Sequence, residues 1–120
     1  MAEPSHILSY VADARQSTRL YAKILGVRPV EATPTYSVFA LPSGGKLALR
    51  SRSGVEPRAT LPGGTELCFS VDSDDAVRRT RDDWSRLGLK IIQEPVKMDF
   101  GYTFTAADPD GHRLRVYHAH

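Results

Sequence analysis

With a single cysteine, Cys68, the chain can form no internal disulfide, so its fold must rest on burial and hydrogen bonding. A lone thiol in an apolar strand reads as inert packing rather than as a nucleophile, and it suits a reducing compartment. Long hydrophobic runs are missing too: nothing approaches the roughly 20 apolar residues of a membrane-spanning helix. Met1-Ala2-Glu3-Pro4 has no basic region leading into an apolar run, so no signal peptide is expected. Together these absences predict a cytoplasmic protein with no membrane partner. Excess charge of either sign is lacking as well. Sixteen Lys and Arg stand against 14 Asp and Glu, a formal net charge of +2, which argues against nucleic acid as a partner. No serine, histidine and aspartate fall at a distinctive catalytic spacing, and no glycine-rich phosphate loop follows a strand. Gly44-Gly45 sits between two strand-like pieces, as a hairpin turn does.

What remains is ordinary globular material. The 120 residues, 41% hydrophobic and 25% charged, suit one domain. A chain of this length buries about two thirds of its unfolded surface. Residues 6–11 read as a strand and 14–24 as a helix, with Asp13 as N-cap and Gly26 ending it. Leu20, Tyr21, Ile24 and Leu25 form the apolar stripe of that helix. Strands are predicted over 28–32, 36–41 and 46–51, separated by Thr33-Pro34-Thr35 and Pro42-Ser43-Gly44-Gly45. Residues 52–64, with two prolines and three glycines, break the pattern and read as a linker.

The second half repeats the first. A strand over 65–71 precedes a helix over 74–87, with Asp74 and Asp75 in its first turn and Val77, Thr80, Trp84 and Leu87 on one stripe. Gly88 follows it, and strands are expected at 91–95, 102–107 and 112–118. Val11 and Val71 lie 60 residues apart, and Leu47-Ala48-Leu49 falls on Leu114-Arg115-Val116 at an offset of 67. The order is βαβββ twice over, and a half-covered sheet in each copy has to bury its open face.

The last strand follows Asp108-Pro109-Asp110-Gly111, dense turn chemistry. After it Leu114 and Val116 alternate with Arg113, Arg115 and Tyr117, one apolar face and one polar. By the same alternation His6, Leu8 and Tyr10 share a face, as do Lys46, Ala48 and Arg50, and Glu66, Cys68 and Ser70. Tyr102 and Phe104 share one as well, expected to be the inner face. Lys97-Met98-Asp99-Phe100-Gly101 is a lid candidate, with a plain connecting loop as the alternative. Trp84 reads as core, and His118 and His120 as solvated residues at a frayed end.

The duplicated βαβββ order and the terminal Asp-Pro-Asp-Gly-x-x-Leu-x-Val strand resemble the vicinal oxygen chelate superfamily of glyoxalase I, extradiol dioxygenases and bleomycin-resistance proteins. Three segments are similar to the phenazine antibiotic resistance proteins within it: 29–35, 41–47 and 100–110. The resemblance implies an α+β fold in which two βαβββ modules form a glyoxalase/bleomycin-resistance-type open barrel. It would be one domain over 1–120, with module 1 at about 5–52, a linker at about 53–64 and module 2 at about 65–118. It also implies a homodimer.

In metal-using relatives four side chains converge in the cleft, and those positions fall here on His6, Ala48, Glu66 and Arg115. His6 and Glu66 can ligate a divalent ion; Ala48 cannot, and an arginine keeps its charge. The resemblance therefore implies no metal, no cofactor and no catalytic residue. It points instead to a pocket for a planar aromatic ligand of phenazine type, bound by His6, Ala48, Arg50, Glu66, Phe100, Tyr102, Phe104 and Arg115. Rings would stack on Tyr or Phe, a carboxylate would pair with arginine, and Ala48 would leave room for a ring. Three alternatives stand beside this. Arg115 can pair with Glu66 as a structural replacement for the metal; the chain can be a metal-dependent lyase or dioxygenase; or Tyr102 or Glu66 can serve a metal-free enzyme as acid or base.

Overall fold

Asp13 starts the first helix as expected. Its carboxylate accepts the Gln16 backbone N–H at 3.0 Å, satisfying a donor left open at the helix start. Gly26 ends that helix in the left-handed region, its N–H donating to the Ala22 carbonyl. The computed structural model describes residues 2–120. In order these form β1 (His6–Val11), α1 (Ala14–Leu25), β2 (Glu31–Ala32), β3 (Tyr36–Ala40), β4 (Lys46–Ser51) and a short 3₁₀ turn (Arg52–Gly54). Then come β5 (Glu66–Ser70), α2 (Asp74–Arg86), β6 (Lys90–Met98), β7 (Gly101–Ala107) and β8 (Arg113–Ala119). This is an α+β chain of two βαβββ copies. It divides between Thr60 and Leu61, inside the segment read as a linker.

In the first unit the sheet order is β1-β4-β3-β2, with β1 parallel to β4 and the other pairs antiparallel. Thr18 on α1 donates to Ser37 Oγ on β3 at 2.8 Å, which identifies the sheet face under the helix. Ser37 pairs with Leu49 and Phe39 with Leu47, so these side chains share that face, and all four are buried. The helix contributes Ala14, Ser17 and Tyr21 to the contact. Of the expected stripe only Tyr21 is fully buried; Leu20, Ile24 and Leu25 are half-buried, and the buried line runs through Ala14, Ser17 and Tyr21 instead.

The second unit repeats the topology as β5-β8-β7-β6, again with its first strand parallel to its last. Ser73 caps α2, accepting the Ala76 N–H at 3.0 Å. Trp84, buried as expected, meets Phe69 and Phe104 edge to face at centroid distances of 5.4 and 5.5 Å. Leu114 and Val116 are fully buried on this helix side, as their alternation with arginine predicts. Each such side chain contributes about 1.5–3 kcal/mol by leaving water.

The turn before β8 is held by Asp108. Its Oδ1 accepts the N–H groups of Asp110 and His112, both at 2.9 Å, while its backbone N–H donates to the His112 carbonyl. Gly111 adopts φ +90° there, a conformation that costs a side chain but not a glycine. The C-terminus is not frayed. Ala119 pairs with Gly101, the His120 N–H donates to the Phe100 carbonyl, and His118 Nδ1 bonds Asp74 Oδ1 at 2.8 Å.

Candidate functional site: an arginine fork and its carboxylate

Cross-strand register fixes which side chains share the sheet face away from α2. Arg115 pairs with Cys68 and Thr105, Tyr117 with Ser70 and Thr103, and Arg113 with Glu66 and Ala107. Directly opposed residues project to the same side. That face therefore carries a carboxylate, two arginines, a thiol, a phenol, a serine hydroxyl and two threonine hydroxyls.

Arg115 is its hub. Its Nε donates to Glu66 Oε1 at 2.7 Å and its Nη2 to Glu66 Oε2 at 3.4 Å, a two-pronged contact. Its Nη1 donates to Gln93 Oε1 at 3.0 Å and to Thr103 Oγ1 at 3.2 Å. Each neighbour is held in turn: Thr105 donates to the same Gln93 oxygen at 3.0 Å, and Thr103 donates to the Val116 carbonyl at 2.8 Å. Four of the five guanidinium N–H groups thus find acceptors within the chain. The arginine side chain is 16% exposed and the glutamate 30%. Of the two pairings open to Arg115 in the sequence, the one with Glu66 is made.

Hydrogen bonding from Arg115 holds the Glu66 carboxyl below the ordinary carboxylate range, against a smaller opposing effect of burial. Burial, and then the Glu66 charge, push the Cys68 thiol up. Cys68 is accordingly a protonated thiol on an exposed edge strand, neither packed nor activated. Because the folded-state value of Glu66 is depressed, its contribution to stability is complete above the unfolded value and is lost as pH falls through the folded one. Urea midpoints measured from about pH 5 down to pH 3 should therefore fall more steeply for the native protein than for Glu66→Gln. Parallel slopes would mean that the pair adds nothing.

Phe100 supplies the aromatic surface. It stands in the two-residue turn joining β6 to β7, 41% exposed, with its ring 5.7 Å from the Arg115 guanidinium and 6.2 Å from the Tyr117 ring. The segment read as a lid is instead a tight hairpin, Met98 pairing directly with Gly101. A turn that short fixes its tip.

The other expected ligand contacts divide. Tyr102 and Phe104 are corrected: both lie on the α2 side, opposite Arg115. Phe104 pairs with Val116 and is fully buried beside Trp84, and Tyr102 lies under Arg78 of α2 at 5.4 Å. Tyr102 is thereby also lost as a candidate acid or base for the Arg115 face. In the first unit His6, Ala48 and Arg50 do share a sheet face, through the pairs His6–Lys46, Leu8–Ala48 and Tyr10–Arg50. His6 is exposed and bonds Ser5 Oγ through Nδ1 at 2.7 Å, and Arg50 stacks over the Tyr36 ring at 4.3 Å. Ala48 is corrected as well. It lies between Leu8 and Val38 with no exposed surface, so its small size closes the packing and leaves no room for a ring.

Gln93, Thr103, Thr105 and Tyr117 belong to the site; of these only Tyr117, two residues beyond Arg115 on one strand, was placed on the Arg115 face from the sequence. As for a metal, no three His, Cys, Asp or Glu side chains come together among the described residues to hold one. Glu66 is committed to a cation, and a dication beside a fixed guanidinium is electrostatically disfavoured. The donor set does not fit a metal centre. Among the described residues no helix is long and apolar enough to cross a membrane.

Known proteins agree with this architecture. Over 116 residues the chain is 33% identical to the phenazine antibiotic resistance protein EhpR of Enterobacter agglomerans, covering 94% of this chain and 89% of that one. It is 50% identical to protein ATC0852 of Agrobacterium tumefaciens, whose solution structure it matches with a TM-score of 0.92 over 100% of this chain and 99% of that one. A glyoxalase-related enzyme from Fulvimarina pelagi shares the fold at 21% identity, with a TM-score of 0.89 over 98% of this chain and 88% of that one. Residues 4–116 match the family described as the Glyoxalase/Bleomycin resistance protein/Dioxygenase superfamily, and to that superfamily the chain belongs.

Proposed function

We propose that the protein confers antibiotic resistance by binding and sequestering a planar aromatic compound of phenazine type, without a metal and without chemistry on the ligand. The observation that carries the ligand class is the similarity to EhpR across nearly the whole chain. The site supports binding over turnover. The carboxylate paired with Arg115 is tied up by that arginine, the thiol is held protonated, and the exposed Phe100 ring is a stacking surface. Sequestration acts by mass action. A dissociation constant near 1 μM, about −8.2 kcal/mol, lowers free drug appreciably once the protein exceeds that concentration. We place the protein in the cytoplasm as a homodimer, with one site per protomer.

Titration of the purified protein with phenazine and with non-planar antibiotics, read by calorimetry, tests the proposal. Saturable binding of phenazine alone, with the ligand recovered unchanged, is the expected result. A rival reading, a metal-dependent lyase or dioxygenase, retains His6 and Glu66 from a fuller ligand set. A stoichiometric, tightly held divalent ion in protein purified without chelator would establish it and sink sequestration in this form.

A further inference from the structure

We propose that Glu66 sets ligand specificity: its carboxylate occupies the Arg115 fork that an aromatic carboxylate would otherwise take, so the site accepts neutral planar rings and rejects anionic ones. The inference rests on the reading of this face as a binding surface for planar aromatics, and it reverses the expectation that Arg115 recruits a ligand carboxylate.

The geometry leaves an incoming anion little to bind. Both edges of the guanidinium already meet acceptors, Glu66 at 2.7 and 3.4 Å on one side, and Gln93 and Thr103 at 3.0 and 3.2 Å on the other. To reach the fork a ligand carboxylate has to expel Glu66, and it would then sit beside the displaced charge. Like charges forced together in a partly buried site lower affinity by about tenfold or more. A neutral ring meets no such obstacle. It can lie on Phe100, whose ring stands 41% exposed next to the neutralised pair. Two other cations share this face, Arg113 opposite Glu66 and Lys90 opposite Ala107, but both stand exposed at its margin, where solvent screening leaves them little pull on an anion at the fork, and Cys68 stays protonated. Selectivity then comes from an internal anion that mimics the rejected one, which is discrimination by a built-in competitor.

The experiment compares phenazine-1-carboxamide with phenazine-1-carboxylate, matched in shape and differing in charge, against the native protein and Glu66→Ala. The native protein is expected to prefer the amide by about tenfold or more, and Glu66→Ala to lose or invert that preference. A second arm follows the Arg115 Nε–H by NMR during addition of benzoate. No saturable shift is expected in the native protein and a saturable one in Glu66→Ala. Should the native protein bind neither phenazine, the proposed function fails, and the benzoate arm alone decides the role of Glu66. Equal affinity of the native protein for amide and carboxylate overturns the inference, as does a folded Glu66→Ala that takes up no benzoate. If Glu66→Ala does not fold, Glu66→Gln replaces it, keeping the shape and removing the charge; an undiminished amide preference there is equally fatal.

Discussion

Gly101→Ala should lower stability by about 3 kcal/mol or more, a loss readable as a shift in the urea midpoint with unchanged slope. Gly101 opens β7 with φ +152°, and a Cβ built on it would stand 2.2 Å from the His118 carbonyl oxygen and 2.9 Å from Ala119 Cα. Those atoms are backbone of β8, paired with Gly101 itself, so no side chain can swing aside. Relief requires β7 and β8 to separate at the end that carries the Phe100 turn. Gly111→Ala is the control. It also has a positive φ, +90°, but nothing lies within 4 Å of its added Cβ, so its cost should be only the roughly 1–2 kcal/mol of the conformation. Equal losses in the two variants would mean that the strand contact at Gly101 relaxes freely.

The same close approach explains why Phe100 lies over the polar face. With no side chain at Gly101, β8 comes near enough for the His120 N–H to reach the Phe100 carbonyl at 3.2 Å. The ring is left beside Arg115 and Tyr117, and fold and site are joined at this one residue. Local chemistry of this kind was legible in the chain: Asp13 and Gly26 as caps, the Asp-Pro-Asp-Gly turn, and Leu114 and Val116 as the buried side of β8. So was the duplication, since the two sheets have the same order and the same parallel pair. The caps, the turn and the alternation depend on residues close in sequence, and the duplication on comparing one half of the chain with the other.

The face of β7 was not legible, for a physical reason. Alternation identifies a face only when one side of a strand is polar and wet. Here Thr103 and Thr105 are as buried as Phe104 and Ala106, because the Arg115 network covers the threonines while α2 covers the other side. The two aromatics gave the pattern its apparent direction, and aromatics are at home on either face of a strand. Gln93 escaped notice because β6 shifts register on both sides of it, between Ile91 and Gln93 and again between Gln93 and Val96. A bulge re-aims side chains in a way that period-two counting does not follow. Strand β6 also runs three residues past Pro95, which an edge strand tolerates because its outward N–H has no partner to lose.

The corrected assignment makes Phe100 and Phe104 opposites, and replacing each with alanine should separate stability from binding. Phe104→Ala removes a fully buried ring that packs edge to face on Trp84, so a loss of about 3–5 kcal/mol is expected. For a domain of this size that is a large share of the total, and the urea midpoint of the variant should fall accordingly. Phe100→Ala trims a ring at a turn tip and should change stability by no more than about 0.5 kcal/mol. Its effect belongs to the ligand: loss of one stacking plane should weaken phenazine binding by about 1–3 kcal/mol, roughly 5- to 150-fold. Both quantities come from one pair of measurements, chemical denaturation and ligand titration, on the two variants. A stable Phe104→Ala that has lost only its ligand would restore Phe104 to the binding face and reverse the register assigned to β7. A Phe100→Ala that binds phenazine undiminished would remove the one exposed ring beside Arg115 from the site, and the proposed stacking surface with it.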